Sequence, residues 1–266
     1  MRASIRISAL LAAASAALTA FMLPAHALEE GCPGIVARRA LPIIPAALEK
    51  GEVRITFVGH ATFLIESPGG LKVATDYNDY VRPDVTPDIV TMNRAHSTHH
   101  SYAPDPNIRT ILRGWNPNGG PARHDVQLGD VRIRNVATNI RDWSGGTERD
   151  GNSIFVFEVA DLCIAHLGHL HHTLTPEHLK QLGRIDVALV PVDGSYTLDI
   201  DGMMEVLGAL SPRVVIPMHF FGAPTLARFL DRAGERFEVV RSDNPSLVLS
   251  REMLPARPRV VALPGH

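Results

Sequence analysis

The chain reads as an α/β sandwich, on three observations. Short β-rich runs recur through the first half, separated by turn signals such as Pro68-Gly69-Gly70. Strand and helix signals alternate in the second half, beginning at Thr175-Pro176-Glu177. No internal period of about 20–50 residues appears, which sets a solenoid aside.

The elements follow in order. Residues 53–58 alternate apolar and polar and stop at Gly59, residues 61–65 form a second strand, and residues 71–75 form a third that ends at Asp76. Ile89–Met92 is short, apolar and runs directly into a histidine-rich segment. Val126-Gln127, Gly129-Asp130 and residues 131–136 read as a hairpin, and residues 153–159 and 162–167 as another, turning at Ala160-Asp161. Thr175 followed by Pro176 is a helix start, a hydroxyl cap before proline at the first helical position, and that helix ends near Gly183. Residues 185–191 are a continuous apolar strand, and Asp199 caps a helix over residues 202–210. A strand at 213–217, a helix at 224–233 and strands at 237–241, 246–249 and 259–263 complete the reading.

The first 27 residues read as a secretory leader. Arg2 and Arg6 precede an apolar stretch from Ile7 to Leu23, and Ala25-His26-Ala27 has the small-x-small cleavage pattern. The apolar stretch is short for a membrane span, so the expectation is a periplasmic or secreted protein with no span once the leader is removed. Removing 27 of the 266 residues leaves 239, enough for one large domain, and no linker composition divides them. The boundaries read as a leader over 1–27, an N-terminal extension over 28–52 and a single domain over 53–266.

Without the two leader arginines, 24 basic side chains face 28 acidic ones, a net charge of −4 with histidine neutral. No basic run exists and the aromatic residues are scattered, so nucleic-acid binding is not indicated. Of the two cysteines, Cys163 lies in the apolar run Leu162-Cys163-Ile164-Ala165, which reads as a buried strand where cysteine behaves as a small apolar residue, and Cys32 lies near the new N-terminus. An oxidising compartment permits a bridge between them; their proximity is not legible in the sequence.

The chemistry is carried by histidine. Arg94-Ala95-His96-Ser97-Thr98-His99-His100 follows one strand, His166-Leu167-Gly168-His169-Leu170-His171-His172 ends another, and Val214-Val215-Ile216-Pro217-Met218-His219 closes a third. Neutral imidazole is the commonest protein ligand for divalent transition metals. Metal ligands commonly project from rigid elements, which favours His96, His99, His169 and His219. His171 and His172 read as rim residues, and His166 as a core residue satisfied within its strand.

The run Ile55-Thr56-Phe57-Val58-Gly59-His60-Ala61-Thr62-Phe63-Leu64-Ile65-Glu66 resembles the opening hairpin of the metallo-β-lactamase superfamily, in its ascorbate-6-phosphate lactonase-like branch. Asp76, His166-Leu167-Gly168, residues 185–191, Gly194-Ser195-Tyr196-Thr197-Leu198-Asp199 and Ile216-Pro217-Met218-His219 follow in that branch's order. The resemblance spans residues 53–222 and implies an αββα four-layer sandwich with a metal pocket along one edge of two sheets.

Departures from the family pattern matter as much. Against the signature His-x-His-x-Asp-His, this chain has Arg94 at the first histidine and Thr98 at the aspartate, and keeps His96 and His99. A further family histidine falls at Asn139, and the bridging aspartate is His169. Carboxylates normally balance and bridge two divalent ions, so the resemblance implies one ion, held by His96, His99, His169 and His219, with Arg94 disfavouring a second cation. Zinc is the expected metal, with manganese or iron as alternatives. His60, Asp76 and His100 are supporting or alternative ligands. Asp193 would orient a ligand imidazole or act as a base, and Tyr196 would donate a hydrogen bond to substrate.

The expected function is an exported metal-dependent hydrolase using metal-activated water on a small-molecule ester, lactone or phosphodiester. The alternative is a catalytically weak or inactive protein that keeps the fold to bind a metal, small ligand or partner.

Overall fold

The computed structural model describes residues 47–142 and 144–265. The leader, the extension up to residue 46 and Cys32 lie outside them. Along the chain run β1 (Val53–Gly59), β2 (Thr62–Glu66), β3 (Lys72–Ala74), β4 (Ile89–Met92) and β5 (Thr110–Arg113), with a short 3-10 turn at Ser97–His99. There follow β6 (Asp125–Leu128), β7 (Val131–Arg141), β8 (Thr147–Val159), β9 (Leu162–His166), helix α1 (Pro176–Leu182), β10 (Val187–Pro191) and helix α2 (Ile200–Leu210). The chain continues through β11 (Val214–Met218), helix α3 (Ala223–Ala233), β12 (Glu238–Arg241), β13 (Ser246–Leu249) and β14 (Arg259–Ala262). Two sheets result, one in the order β13-β1-β2-β3-β4-β5 and one in the order β12-β14-β11-β10-β9-β8-β7-β6.

Alternation along the strands explains why the sheets face one another. Successive residues of a strand point to opposite faces. In β8, Phe155 and Phe157 join a cluster with Phe57, Phe63, Ile65 and Val73 of the first sheet, while Ile154 and Val156 join Met203, Leu207 and Phe229 of the helices. The second sheet is therefore covered on both faces, by its partner sheet and by α1–α3. This is why β10 and β11 read as unbroken apolar runs. Each large apolar side chain buried this way contributes about 1.5–3 kcal/mol relative to exposure. The outer face of the first sheet carries a smaller cluster of Ala74, Tyr77, Val90, Met92 and Ile108, packed by Ile111 and Trp115, to which no helix among the described residues contributes.

The sandwich of metallo-β-lactamase type expected from the sequence is the fold observed. The helix signals hold locally: Thr175 and His178 form a reciprocal capping box on α1, and Asp199 accepts from the Gly202 amide at α2. Three features differ from expectation. β5 went unread, being four residues long and bounded by loop composition. β7 and β8 run past their apolar segments into polar sequence, because hairpin pairing continues from Thr138 opposite Asn152 to Arg141 opposite Thr147. Cys163 is half-exposed, with its sulfur 3.7 Å from the Arg184 guanidinium, rather than fully in the core.

Topology places the site. β1 is antiparallel to β2, β2 to β3, and β3 runs parallel to β4, so β1, β3 and β4 end at the same edge. In the second sheet β9, β10 and β11 are parallel and also end together. The two edges meet where the His219 amide donates to the His60 carbonyl at 2.7 Å.

Candidate metal centre

Each strand end at this edge delivers a polar residue. β1 hands over His60, β3 Asp76, β4 Asn93 and the loop to His99, β9 the segment 168–172, β10 Asp193 and β11 His219. The backbone is bent to do so. His60, Asp76 and His219 have φ of 51°, 40° and 56°, a region costly for residues with a Cβ. Such strain clusters at functional sites, where the surrounding structure over-determines it. Gly168 turns at φ 61°, and a Cβ there would lie 2.6 Å from the Asn93 amide nitrogen, so only glycine carries β9 into His169.

Among the described residues, the imidazole group whose ligand atoms all lie within 4.8 Å of one another is His60, His99 and His219. The His60 and His219 ring centres are 4.3 Å apart, and the His99 and His219 rings stack at 5.1 Å. Nε2 of His60 and Nε2 of His99 are buried without a hydrogen-bond partner. Buried polar nitrogens normally find partners, so these two lack an occupant that the protein does not supply.

Two carboxylates stand behind the rings. Asp76 Oδ2 lies 2.5 Å from His99 Nδ1, and Asp193 Oδ1 lies 3.0 Å from His219 Nδ1. With Nδ1–H donated to a carboxylate, each ring presents Nε2 as a lone pair, the arrangement usual behind metal-bound histidine. Asp76 is held in turn by the Asn93 amide at 3.0 Å, and Asn93 accepts from the Ser153 amide at 2.8 Å, which ties the two sheets together. Asp193 accepts from the backbone amides of Ser195, Tyr196 and Thr197 and from the Ser195 and Thr197 hydroxyls. Burial opposes its ionisation, but the hydrogen bonds of His219 and Thr197 outweigh burial and hold the carboxyl far below the usual range. A carboxylate so engaged orients His219 and has no free lone pair with which to act as a base.

The other sequence candidates fall around this group. His169 is buried, its Nδ1 2.5 Å from His171 Nε2 and its own Nε2 without a partner. His96 is half-buried, with its ring centre 4.8 Å from that of His169 and 6.2 Å from that of His99, outside the compact group. The quartet expected from the sequence therefore differs from the compact group, which takes His60 in place of His96 and His169. The tight turn from β1 into β2 brings His60 inward. His100 faces away, its Nδ1 3.2 Å from the Asn93 carbonyl and its ring against Tyr102 and Trp115. His166 is satisfied between the Ala61 carbonyl and the Gly168 amide. Thr98 sits in the 3-10 turn, and Asn139 accepts from the Asp150 amide within the β7–β8 hairpin.

Arg94 is 55% exposed and pairs with Glu148 at 3.0 Å, so its charge is matched there. It lines a cavity of about 360 Å³ with His96, Arg141, Glu148, His171 and Tyr196. Tyr196, 59% exposed, meets Phe221 edge-on, and Phe221 covers His219 at 5.3 Å. Arg141 caps three carbonyls of the loop 195–197 through its guanidinium. Asn93, Asn152, Thr197 and Arg141 escaped the sequence reading. The one available signal was an amide residue interrupting or ending an apolar strand.

Burial lowers the imidazoles. Desolvation, then His219, brings His60 to about 4; desolvation, then Arg141, brings His171 to about 4. His99 and His169 lie well below the ordinary value, again first by burial. Folded chains with such rings bind fewer protons than unfolded ones, so their stabilisation is full above pH 6.5 and is lost as pH falls toward 4. Asp76 acts oppositely, raised by burial to about 6. The imidazoles outnumber that carboxyl, so the metal-free protein is expected to melt at lower temperature at about pH 5 than at about pH 7. A melting temperature that stays level or rises on acidification contradicts this.

Zinc bonds to imidazole at about 2.0–2.1 Å, which in a tetrahedron sets the nitrogens about 3.4 Å apart. His60, His99 and His219, with ligand atoms within 4.8 Å of one another, would hold such an ion as a three-ligand set. Open three-ligand sites are the catalytic kind.

Comparison with known proteins bears on the fold and the family. The family model described as the beta-lactamase superfamily domain matches residues 54–219. A UPF0173 metal-dependent hydrolase of Archaeoglobus fulgidus is 28% identical over 202 residues, covering 66% of this chain and 87% of its own. Another from Anaeromyxobacter sp. is 26% identical over 216 residues, covering 67% and 78%. A Thermotoga maritima structure, named as a candidate Zn-dependent hydrolase of the metallo-beta-lactamase superfamily, superposes with a TM-score of 0.59 at 30% identity, covering 80% of this chain and 100% of that one. A metallo hydrolase of Ignicoccus hospitalis shares the fold, with a TM-score of 0.54 at 18% identity over 75% and 99%.

Proposed function

We propose, for a chain that belongs to the beta-lactamase superfamily, that it is an exported metal-dependent hydrolase of small esters, lactones or phosphodiesters. The observation that carries this reading is the pair of buried, unpartnered Nε2 atoms on His60 and His99, converging with His219 in front of Asp76 and Asp193. Related proteins are named metal-dependent hydrolases, which supports the same class. We place the chain in the lactonase-like branch on the order of its sequence motifs.

A divalent ion, zinc by preference, would supply Lewis acidity and make water acidic enough to attack near neutral pH. The rest is the chain's own work. His60, His99 and His219 would hold the ion, Asp76 and Asp193 fix two of the rings, and Phe221 lies edge-on to His219. Tyr196 and Arg94 border the cavity that also carries His96 and His171, and this cavity would receive the substrate. The exposed Tyr196–Phe221 wall favours a substrate with an apolar substituent beside the scissile bond.

A second reading, a metal-binding protein without turnover, draws on the composition of the compact group, three imidazoles and no carboxylate. One experiment decides among these. The native protein is recovered from the periplasmic fraction, its N-terminus is sequenced, its metal content is measured, and it is assayed on ester, lactone and phosphodiester substrates. Cleavage after Ala27, about one ion per chain and turnover abolished by chelator are expected. A tightly held ion with no turnover on any substrate favours the second reading, and an uncleaved cytosolic chain removes export.

A further inference from the structure

We infer that His169 is a hydrogen-bond donor into the site, with its proton fixed on Nε2, and not a ligand to the metal. The argument starts outside the pocket. The Arg141 backbone N–H donates to His171 Nδ1 at 2.6 Å, and a backbone amide has no other role to play. His171 Nδ1 is therefore a lone pair, and a neutral imidazole with Nδ1 bare carries its proton on Nε2. That Nε2 lies 2.5 Å from His169 Nδ1, so His171 donates and His169 Nδ1 accepts. A neutral His169 then has one place left for its own proton, which is Nε2. Rotating the His171 ring by half a turn would place carbons against both partners and lose both bonds.

Nε2 of His169 is buried with no partner in the protein. Its ring stands across those of His99 and His219, at 87° and 85°, and it does not belong to the compact group of His60, His99 and His219. A metal needs a lone pair, and this ring offers a proton. The partner that suits it is an oxygen gaining negative charge: the carbonyl oxygen of an ester or lactone, or a phosphoryl oxygen, under attack by water. No proton is transferred. The bond strengthens as the oxygen becomes anionic, which is how preorganised donors assist acyl and phosphoryl transfer. The His169 ring stands among those of His96, His99 and His219, at centre distances of 4.8, 4.9 and 4.9 Å, whereas the Arg141 amide keeps the proton on Nε2 from the far side of His171. The sequence Arg141–His171–His169 is thus a positioning relay with a donor at its end.

The tautomer stands on the hydrogen bonds alone, and only the donor's role rests on the proposed hydrolase reading. The test uses the full chain, labelled with ¹⁵N-histidine, in long-range proton–nitrogen spectra near neutral pH. His169→Gln assigns its resonances by their loss. The expected result is His169 with Nδ1 unprotonated and Nε2 protonated, both before and after one equivalent of Zn²⁺. His171→Phe, which removes the donor, is expected to replace this single tautomer by a mixture. In a competition assay, His169→Gln is expected to weaken zinc by less than about tenfold, below the about hundredfold range of the strongest outer-shell losses. An unprotonated His169 Nε2, or a His169 nitrogen that shifts onto zinc, overturns the inference. If no zinc binds to the native chain, the hydrolase reading fails while the metal-free spectra still decide the tautomer.

Discussion

Replacing His219 by asparagine is expected to lower zinc affinity by about a hundredfold and to abolish hydrolysis, while the fold survives. The magnitude follows from the worth of a ligand. Zinc bound to a four-ligand protein site is worth about 10–16 kcal/mol, or about 3 kcal/mol per ligand, and about 1.4 kcal/mol is tenfold in affinity. Asparagine suits this position better than alanine because His219 sits at φ 56°, which asparagine tolerates. The ring packs on His60, His99, His169 and Phe221, so its loss removes contacts within the site. His60→Gln and His99→Gln should fall in the same range, and His100→Gln should not, since that ring packs on Tyr102 and Trp115. Zinc competition with a chromophoric chelator, alongside melting curves, measures both halves. A His100→Gln loss equal to that of His219→Asn would remove the three-imidazole assignment.

The sandwich was legible because its information is local. Two-residue alternation in residues 53–58 and 153–159, unbroken apolar runs at 185–191 and 213–217, and the caps at Thr175 and Asp199 each report their own surroundings. The site was legible only as an inventory. The expected quartet is His96, His99, His169 and His219, and of these His99 and His219 share the compact group with His60. What the sequence could not supply was which ring faces which. His60 shares the compact group because a turn at φ 51° directs it inward, a property of three-dimensional register and not of residue type. The charge argument on Arg94 failed to anticipate Glu148, which is 54 positions away in sequence and arrives through the β7–β8 hairpin. The polar floor of Asn93, Asn152 and Ser153 was also out of reach, since each residue there is justified only by a partner on another strand.

That floor explains how two sheets with an apolar interface can end in a polar site. Apolar side chains fill the interface up to Phe63 and Phe155, and beyond them every buried polar group needs a named partner. Asn93 meets this need twice, donating to Asp76 and accepting from Ser153, so the first sheet's carboxylate is anchored to the second sheet's backbone. Asn152 accepts from the His169 amide at 2.8 Å and donates to Thr138 at 2.9 Å, which fixes the loop after β9 to β7. The rings are thus held in place before any ion arrives, the condition under which a metal pocket binds without reorganising its ligands.

Asp193 shows what that preorganisation costs to lose. Its carboxylate receives three backbone amides, two hydroxyls and the His219 ring, all of them donors. Asparagine has nearly the same shape but turns one oxygen into an NH₂, which must face donors on whichever side it lies. Breaking one partner of a buried ionic network costs about 3–5 kcal/mol, and Asp193→Asn is expected to destabilise the protein on that scale. The same change frees His219 Nδ1 from its acceptor, so the ring loses its fixed tautomer, and zinc affinity should fall by about 10–100-fold. Acid should reproduce part of this in the native protein only well below pH 4, because the carboxyl is held far below the usual range and stays ionised until then. Chemical denaturation of the metal-free native and Asp193→Asn chains isolates the stability loss, and zinc competition at a denaturant-free pH near 7 isolates the ring. If Asp193→Asn matches the native chain in both, the carboxylate is not what orients His219, and the second of the two supports behind the metal site disappears.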